Sequence, residues 1–385
     1  NMGDLIGVKK VLKIALFSRL FSLLVQCVSN NIVVDYDTSV EHYPCHSNTT
    51  KPLPHKYNTI IDQIIASTFD GLSKWDAVYF LDIAEHGYQY EQNMAFFPLF
   101  PLSVKTFGLL VTPLKLLLNL SDRSTLLLSA IFINTAAFAL AALGLYLLTM
   151  ATFRSSKLAQ QVVLLFCFNP ASVFFSAAYS ESIFAMSQFW GMFFLERGAH
   201  LTAALAFSLG TMARSNGVIS CGFIGYKFLQ EIILQYRLFM SKGEKIRPMA
   251  VAVKFLKVMS LFFIIVLPFL LFQYYGYRSF CKKPQASPWC EQYLPIPYTY
   301  IQKHYWNVGF LRYYELKQLP NFVLALPLVM LSMMGIHEYL ERQKRSDILS
   351  LGLLVVKDSN SLNLFVYVVH LCFLLVFGVT SMHIQ

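Results

Sequence analysis

Long apolar stretches without a charged side chain constrain this chain more than any other feature. Residues 126–153, 258–275 and 362–380 contain no charged residue, and each stretch is close to the roughly 20 residues that a helix needs to cross a bilayer. Charged residues make up only 14% of the chain, against roughly 25% in soluble domains. The sequence therefore predicts an all-α fold, a polytopic transmembrane helical bundle.

The basic residues predict how this bundle is oriented. The net charge is +10, but most basic side chains lie in short loops between apolar runs, so they indicate orientation and not a nucleic-acid surface. The first predicted span, residues 11–29, follows Lys9 and Lys10 and contains Lys13 in its first turn. This order places residue 1 in the cytosol and the next loop in the lumen. A cleaved signal peptide is the alternative for this run.

The same signals divide the chain into five regions. They are a cytosolic N-terminus with the first span (1–29), a large lumenal loop (30–93), a transmembrane bundle with broken helices (94–275), a second lumenal loop (276–320) and C-terminal spans (321–385). Residues 94–118 are expected to return to the cytosol, which places the sequon at Asn119 there. Residues 126–153 are either one long span or two short ones.

Two breaks in later apolar runs carry charged residues. Asn169-Pro170 precedes Glu181, and Arg214 begins the second break. If both breaks turn on the lumenal side, the positive-inside rule is satisfied and Glu181 and Arg214 lie near the surface that carries Asp76. The alternative is that each is an intramembrane residue with a local partner.

The first lumenal loop has an unusual density of ionisable groups beside the membrane. Asp76, Asp82, Glu85 and His86 fall within eleven residues. Such groups are costly next to lipid unless water or a ligand solvates them, so they are a functional hypothesis by default. The alternative is an amphipathic interfacial helix with its acids in solvent.

The rest of this loop fits a lumenal location. Residues 57–72 and 75–88 are predicted to form helices along the membrane surface, and Asn48 begins a glycosylation sequon. In the second lumenal loop, Cys281 and Cys290 form a disulfide or remain two free thiols. That loop is basic, against the orientation rule, which an anionic ligand would explain.

Motifs spread along the chain resemble one known family. They are Trp75-Asp76-Ala77, Ile83-Ala84-Glu85-His86-Gly87-Tyr88, Phe96-Phe97-Pro98, Asn169-Pro170-Ala171, Tyr179-Ser180-Glu181, Arg214-Ser215-Asn216-Gly217, Phe272-Gln273-Tyr274-Tyr275, Tyr305-Trp306-Asn307-Val308-Gly309-Phe310 and Tyr313-Tyr314-Glu315-Leu316-Lys317-Gln318. Together they resemble the PIG-V family, the second mannosyltransferases of glycosylphosphatidylinositol (GPI) anchor assembly, within the glycosyltransferase-C superfamily.

This resemblance implies a glycosyltransferase-C bundle in the endoplasmic reticulum membrane with a lumenal active site. It implies transfer of the second mannose, in α1,6 linkage, from dolichyl-phosphate mannose to the mannosyl-glucosaminyl-phosphatidylinositol lipid. Membrane lipid and a small membrane accessory subunit are the further expected partners. The resemblance also implies more lumenal sequence and a final span beyond Gln385.

The chemistry of this reaction suggests roles for individual side chains. A phosphate leaving group needs no dedicated acid, so one base suffices, and Asp76 is the candidate. Trp75 would offer a flat apolar face to a sugar ring. Arg214 is the first candidate to bind the donor phosphate, unless it is only the ion-pair partner of Glu181. The remaining candidates for substrate binding are Glu85, His86, Glu181, His304, Trp306, Arg312 and Lys317.

No metal-binding motif is present, and a metal-independent site without a cofactor is predicted. The alternative functions are a polytopic transporter with its path at the broken helices, another lumenal transferase that uses a dolichyl-phosphate sugar, and a noncatalytic assembly subunit.

Overall fold

The computed structural model describes residues 2–33, 59–241, 248–282, 287–353 and 364–382. Within these ranges the regular structure is entirely helical. The α-helices are α1 (Met2–Ile32), α2 (Ile60–Phe69), α3 (Asp76–His86), α4 (Leu99–Leu110), α5 (Thr112–Leu118), α6 (Asp122–Phe153), α7 (Ser156–Cys167), α8 (Glu181–Glu196), α9 (His200–Ala213), α10 (Cys221–Ser241), α11 (Pro248–Phe280), α12 (Pro297–Trp306), α13 (Leu319–Arg342), α14 (Arg345–Leu349) and α15 (Phe365–Ser381).

Five of the described helical segments are long and apolar enough to cross a membrane. They are Ile6–Ile32, Asp122–Phe153, Ser215–Ser241, Met249–Phe280 and Leu316–Arg342. The predicted all-α, multi-pass membrane architecture is therefore confirmed. The run 126–153, which the sequence left open, is one helix, α6.

The chain divides into two compact units, Asn1–Val218 with Ile265–Phe272, and Ile219–Ile264 with Gln273–Gln385. In the first unit, small residues allow close helix packing, as they commonly do in membranes. Gly191 of α8 faces Phe207 of α9, and a Cβ at position 191 would lie 2.5 Å from that ring. The preceding residue of α8, Trp190, donates a hydrogen bond from its indole to the Leu140 carbonyl of α6 at 2.9 Å.

Helices α1 and α6 run in opposite directions in the first unit. Gly7, near the start of α1, lies against Tyr146, near the end of α6. At the other end of α1, the Asn30 amide donates to the Ser67 carbonyl at the end of α2. Residues 67–71 therefore mark the Asn30 end of the unit, and Gly7 marks the opposite end.

The expectation that residues 94–118 cross the membrane is wrong. Helices α4 and α5 are bent by 61°, and the pair starts just after Asn93, whose amide donates to Asp82 of α3 at 3.3 Å. At its far end, the Ser121 backbone N–H donates to Asp62 of α2 at 3.0 Å. Since α2 lies at the Asn30 end, the end of α5 lies there too, and α6 is the helix that crosses to the opposite end.

This contact also corrects the expected position of Asn119. Asp62 and Ile65 are the buried residues of α2, while Ile60 and Ile64 are exposed, so α2 presents an acid together with one isoleucine to the protein. The Ser121 hydroxyl also donates to Asp62 at 3.1 Å, which fixes the N-cap of α6. The neighbouring sequon residue Asn119 therefore belongs to the Asn30 end, on the same side as α2.

The second unit contains α10, α12 to α15 and both flanks of α11. Cys281 and Cys290 form a disulfide with their Cα atoms 5.5 Å apart, which decides the alternative that the sequence left open. Backbone and side chain both tie the following loop to the end of α15. The Leu311 N–H donates to the Thr380 carbonyl at 2.7 Å, and the Tyr314 hydroxyl donates to the Val379 carbonyl at 3.0 Å.

Candidate active site

Asp76 is the first residue of α3 and follows a strained turn. Trp75 has φ 57° and ψ −130°, a conformation typical of glycine at the second position of a type II′ turn. The Ala77 N–H closes this turn on the Lys74 carbonyl at 3.2 Å. A non-glycine residue in such a conformation costs about 1–3 kcal/mol and persists only where its surroundings hold it. The turn therefore fixes the backbone position of Asp76, which follows it directly.

The segment that leads into α8 holds this turn. The Ala178 N–H donates to the Leu72 carbonyl at 3.0 Å, and the Tyr179 hydroxyl donates to the Lys74 carbonyl at 3.2 Å. The Tyr179 ring also stacks on Phe174 with centroids 5.6 Å apart. A backbone contact from Ala178 and a side-chain contact from Tyr179 therefore hold the chain where it enters the turn.

Glu181 and Arg214 form an ion pair in the same unit. Glu181 is the first residue of α8, where the helix dipole favours a negative charge, and Arg214 directly follows the end of α9. Arg214 Nη1 contacts Glu181 Oε1, while Glu181 Oε2 is buried without a hydrogen-bond partner among the described residues. The expected juxtaposition of the two breaks is thus present, and Arg214 has the local partner that the sequence left open.

Gly217 sets the position of Arg214. A Cβ on Gly217 would lie 2.4 Å from the backbone nitrogen of Thr211 and 2.5 Å from its Cα. Because these atoms belong to the backbone of α9, they cannot move aside as a side-chain end can. Only glycine allows the segment after Arg214 to fold back onto α9.

The Asp76 side chain is accessible to solvent, and Tyr79, Tyr179, Glu181 and Arg214 interact with it electrostatically from the protein side; this half-open surrounding is called the Asp76 recess. Asp76 is exposed to solvent, yet desolvation by the surrounding protein raises its pKa from 3.8 to about 6. The Glu181 charge adds to this rise and the Arg214 charge opposes it. A carboxyl that titrates close to neutral pH in an accessible recess is suited to accept a proton.

Two tyrosines line the Asp76 recess. Desolvation and the charge of Asp76 raise the pKa of Tyr79 to about 12, and desolvation raises the pKa of Tyr179 above its usual range, with the charges of Asp76 and Glu181 adding to the rise. Both hydroxyls therefore remain protonated donors at neutral pH. Neither tyrosine was predicted to be a site residue. Tyr179 did fall within the motif Tyr179-Ser180-Glu181, two residues before Glu181.

The predicted residues on α3 are not gathered around Asp76. Trp75 is half exposed beside it. Glu85 and His86 lie at the other end of α3, about 14 Å away along the axis at 1.5 Å per residue. There His86 Nδ1 contacts Asp82 Oδ1 at 3.1 Å. Glu85 and His86 therefore cannot contact the same substrate atoms as Asp76, and their role in substrate binding stays a prediction.

The second unit holds the other four predicted residues. His304 stacks on Tyr300 with ring centroids 5.1 Å apart, and Trp306 is the last residue of α12. Arg312 donates to the Asn307 side chain at 3.2 Å, and Lys317 pairs with Glu315 at 2.6 Å. Arg312 and Lys317 are both exposed at the surface of their unit.

Two further predictions concern modification and metal binding. Asn48 lies outside the described residues, so its glycosylation stays a prediction. In the described part of the chain, no group of three or more His, Cys, Asp or Glu side chains is arranged to hold a metal ion.

The fold and the site together define a multi-pass membrane protein with an accessible carboxyl of raised pKa beside an arginine–glutamate pair, and carboxyls of this kind cluster at functional sites. The family model described as mannosyltransferase (PIG-V) matches residues 8–385, and the chain belongs to this family.

Curated relatives extend this match. The chain is 38% identical to GPI alpha-1,6-mannosyltransferase 2 of Cricetulus griseus and to the Homo sapiens protein of that name, in each case over 98% of this chain and 80% of the relative. It is 36% identical to GPI mannosyltransferase 2 of Drosophila melanogaster, over 86% of this chain and 76% of the relative. No solved structure matches the chain.

Proposed function

We propose that this protein is an α1,6-mannosyltransferase of GPI-anchor assembly. It transfers the second mannose from dolichyl-phosphate mannose to the mannosyl-glucosaminyl-phosphatidylinositol lipid, in the lumenal leaflet of the endoplasmic reticulum membrane. Family membership and the names of the curated relatives support the reaction and the acceptor. The observation that carries the mechanism is the desolvated Asp76 carboxylate beside the Arg214–Glu181 pair.

The reaction is a single inverting displacement at the anomeric carbon of the donor. Asp76 removes the proton of the acceptor hydroxyl while its oxygen bonds to the anomeric carbon. The bond from that carbon to the phosphate oxygen breaks, and dolichyl phosphate leaves with the electron pair. The proton ends on Asp76 and passes to solvent through the open side of the recess. Every bond, electron pair and proton in this step is accounted for without a metal or a redox cofactor. Phosphate is already a good leaving group and needs no further activation.

The surroundings of Asp76 support its role as the base. Its pKa of about 6 leaves it mostly ionised at neutral pH and still basic enough to take a proton in the transition state. Its position at the first residue of α3 is fixed by the strained turn, so the carboxylate does not have to be ordered when the acceptor binds.

Arg214 is proposed to stabilise the departing phosphate. Its guanidinium presents five N–H donors in a planar fork that suits phosphate oxygens, and the side chain is partly exposed. Glu181 holds the guanidinium in place and partly offsets its charge. In a poorly solvated site, a fixed cation stabilises developing negative charge far more than it would in bulk water.

The remaining predicted residues are proposed to bind the larger parts of the substrates. The exposed indole of Trp75 offers an apolar face for a sugar ring beside Asp76. Glu85 and His86 would meet a more distant part of the acceptor. In the second unit, His304, Trp306, Arg312 and Lys317 are proposed to bind lipid phosphate and sugar. A small membrane accessory subunit is the proposed partner.

The test is Asp76→Asn, expressed in cells that lack this activity. The substitution removes the base and preserves size and hydrogen-bonding geometry, so we expect normal protein abundance and no GPI-anchored protein at the cell surface. Asp122→Asn is the matched control, because Asp122 is an exposed aspartate in the first turn of α6 that contacts Lys115. Full rescue by Asp76→Asn would refute Asp76 as the base.

An in vitro assay then tests the substrates directly. Microsomes that contain the protein should convert the one-mannose GPI precursor to the two-mannose lipid only when dolichyl-phosphate mannose is added. Transfer from a nucleotide sugar in its place would exclude the proposed donor. Transport of substrate without product would favour the transporter alternative.

A further inference from the structure

The 13 residues between α7 and α8 are an irregular segment inside the first unit. Residues 168–180 contain one short 3₁₀ turn, Ser172–Phe175, and no α-helix. Non-helical backbone is tolerated in a membrane bundle only where the protein satisfies its polar groups. The side chains that satisfy these polar groups determine where the segment lies. Near its end is Tyr179, whose hydroxyl contacts the Asp76 turn.

Arg19 of α1 satisfies the beginning of the segment. It is 1% exposed, and its guanidinium donates to the Ser172 carbonyl at 2.8 Å and to the Ser176 hydroxyl at 3.0 Å. It also donates to the Cys167 carbonyl at the end of α7 and lies 3.8 Å from the centre of the Phe138 ring. All of these contacts are with neutral groups. The buried guanidinium of Arg19 therefore holds the irregular backbone of residues 168–180 by hydrogen bonds and a ring contact.

Asn134 of α6 satisfies the end of the segment. Its side chain is fully buried, and Nδ2 donates to the carbonyls of both Ala177 and Tyr179, the latter at 3.0 Å. These two carbonyls flank Ala178, whose N–H donates to Leu72. Asn134 therefore fixes the backbone from which the Tyr179 hydroxyl reaches the Lys74 carbonyl.

We propose that Asn134 and Tyr179 are positioning residues for Asp76. Asn134 holds the backbone of the irregular segment, Tyr179 carries that constraint to the Trp75 turn, and the turn sets the direction of the Asp76 carboxylate. Neither residue is assigned contact with substrate. The inference rests on the proposed role of Asp76, but the arrangement of the turn can be measured without the reaction.

The first experiment is kinetic. Tyr179→Phe keeps the ring that stacks on Phe174 and removes the hydroxyl, and Asn134→Leu keeps the volume and removes the amide. We expect each to lower kcat at least tenfold with KM for dolichyl-phosphate mannose changed less than threefold. If Asn134 acts through Tyr179, the double variant is no slower than the slower single variant. Additive losses in the double variant would overturn the relay.

Ser129→Ala is the matched control for Asn134→Leu. Ser129 is also a buried polar residue of α6, but within the described ranges its hydroxyl donates to the Thr125 carbonyl of its own helix and to no other group. We expect unchanged kcat. Equal loss of kcat in Ser129→Ala and Asn134→Leu would show general damage to α6 and would contradict the positioning role.

The second experiment measures the turn itself. Trp75→Cys places a thiol in the turn, and its labelling rate by a membrane-impermeant maleimide is compared with and without Tyr179→Phe, after the labelling of the native cysteines is subtracted. We expect at least a threefold change in rate. No change in labelling and no change in kcat would overturn the inference and leave Asp76 as the base. Altered labelling together with an active Asp76→Asn variant would refute the proposed function alone.

Discussion

Glu181→Gln tests the electrostatics of the Asp76 recess. Three causes act on the pKa of Asp76, in the order desolvation, the Glu181 charge and the Arg214 charge, and the first two raise it to about 6 against the third. Glu181→Gln removes one cause that raises the pKa and also removes the negative charge that partly offsets Arg214, so the pKa of Asp76 falls. It stays above 3.8 because desolvation, the largest cause, remains.

The expected effect appears in the pH dependence of kcat/KM. A base must be deprotonated, so activity rises with pH through the pKa of the free enzyme. With a pKa of about 6, the unsubstituted protein at pH 5 retains about a tenth of its Asp76 in the ionised form, against about nine-tenths at pH 7. Glu181→Gln should therefore lose less activity between pH 7 and pH 5, and Arg214→Gln should lose more.

The assay is mannose transfer in microsomes from pH 4.5 to pH 8, with each rate divided by the amount of protein. The phosphodiester of the donor does not titrate in this range, so the acid limb reports the enzyme. Because Glu181→Gln also loosens Arg214, its maximal rate is expected to fall, and only the position of the limb tests the electrostatics. A limb that stays at the same pH in both variants, or moves in the same direction in both, would refute this reasoning.

Three other predictions test the surroundings of the site. Gly217→Ala forces a Cβ against the backbone of α9 and should destabilise the protein by at least about 1–3 kcal/mol, seen as low abundance, whereas Gly222→Ala meets open space and should be neutral. Trp75→Gly relieves the positive φ and should raise thermal stability while it lowers transfer; lower stability would argue against strain in the turn. Cysteines placed at Gln63 of α2 and at Asn119, both exposed, should be labelled from the same side of the membrane, and labelling from opposite sides would contradict the course of α4 and α5.

The local patterns of the sequence predicted much of the fold. Apolar runs predicted where the spanning helices lie, and the breaks around Asn169 and Arg214 were found where composition placed them. The acid-rich stretch predicted α3 with Asp76 at its start. These predictions succeed because a membrane allows few backbone conformations, so hydrophobicity and helix signals within a short window are sufficient.

The predictions that failed or stayed open depended on distant residues. The course of α4 and α5 depends on the contact between Asp62 and Ser121, which are 59 residues apart. The Asp76 turn is held in place by the contact between Tyr179 and Lys74, which are 105 residues apart.

Sequence alone determined that this chain is a helical membrane protein with one conspicuous acidic stretch. Tertiary structure decided which buried polar groups pair, because the cost of an unpaired donor or acceptor is relieved only by the partner that folding brings next to it. The same desolvation made one of several carboxylates, Asp76, a group that titrates near neutral pH.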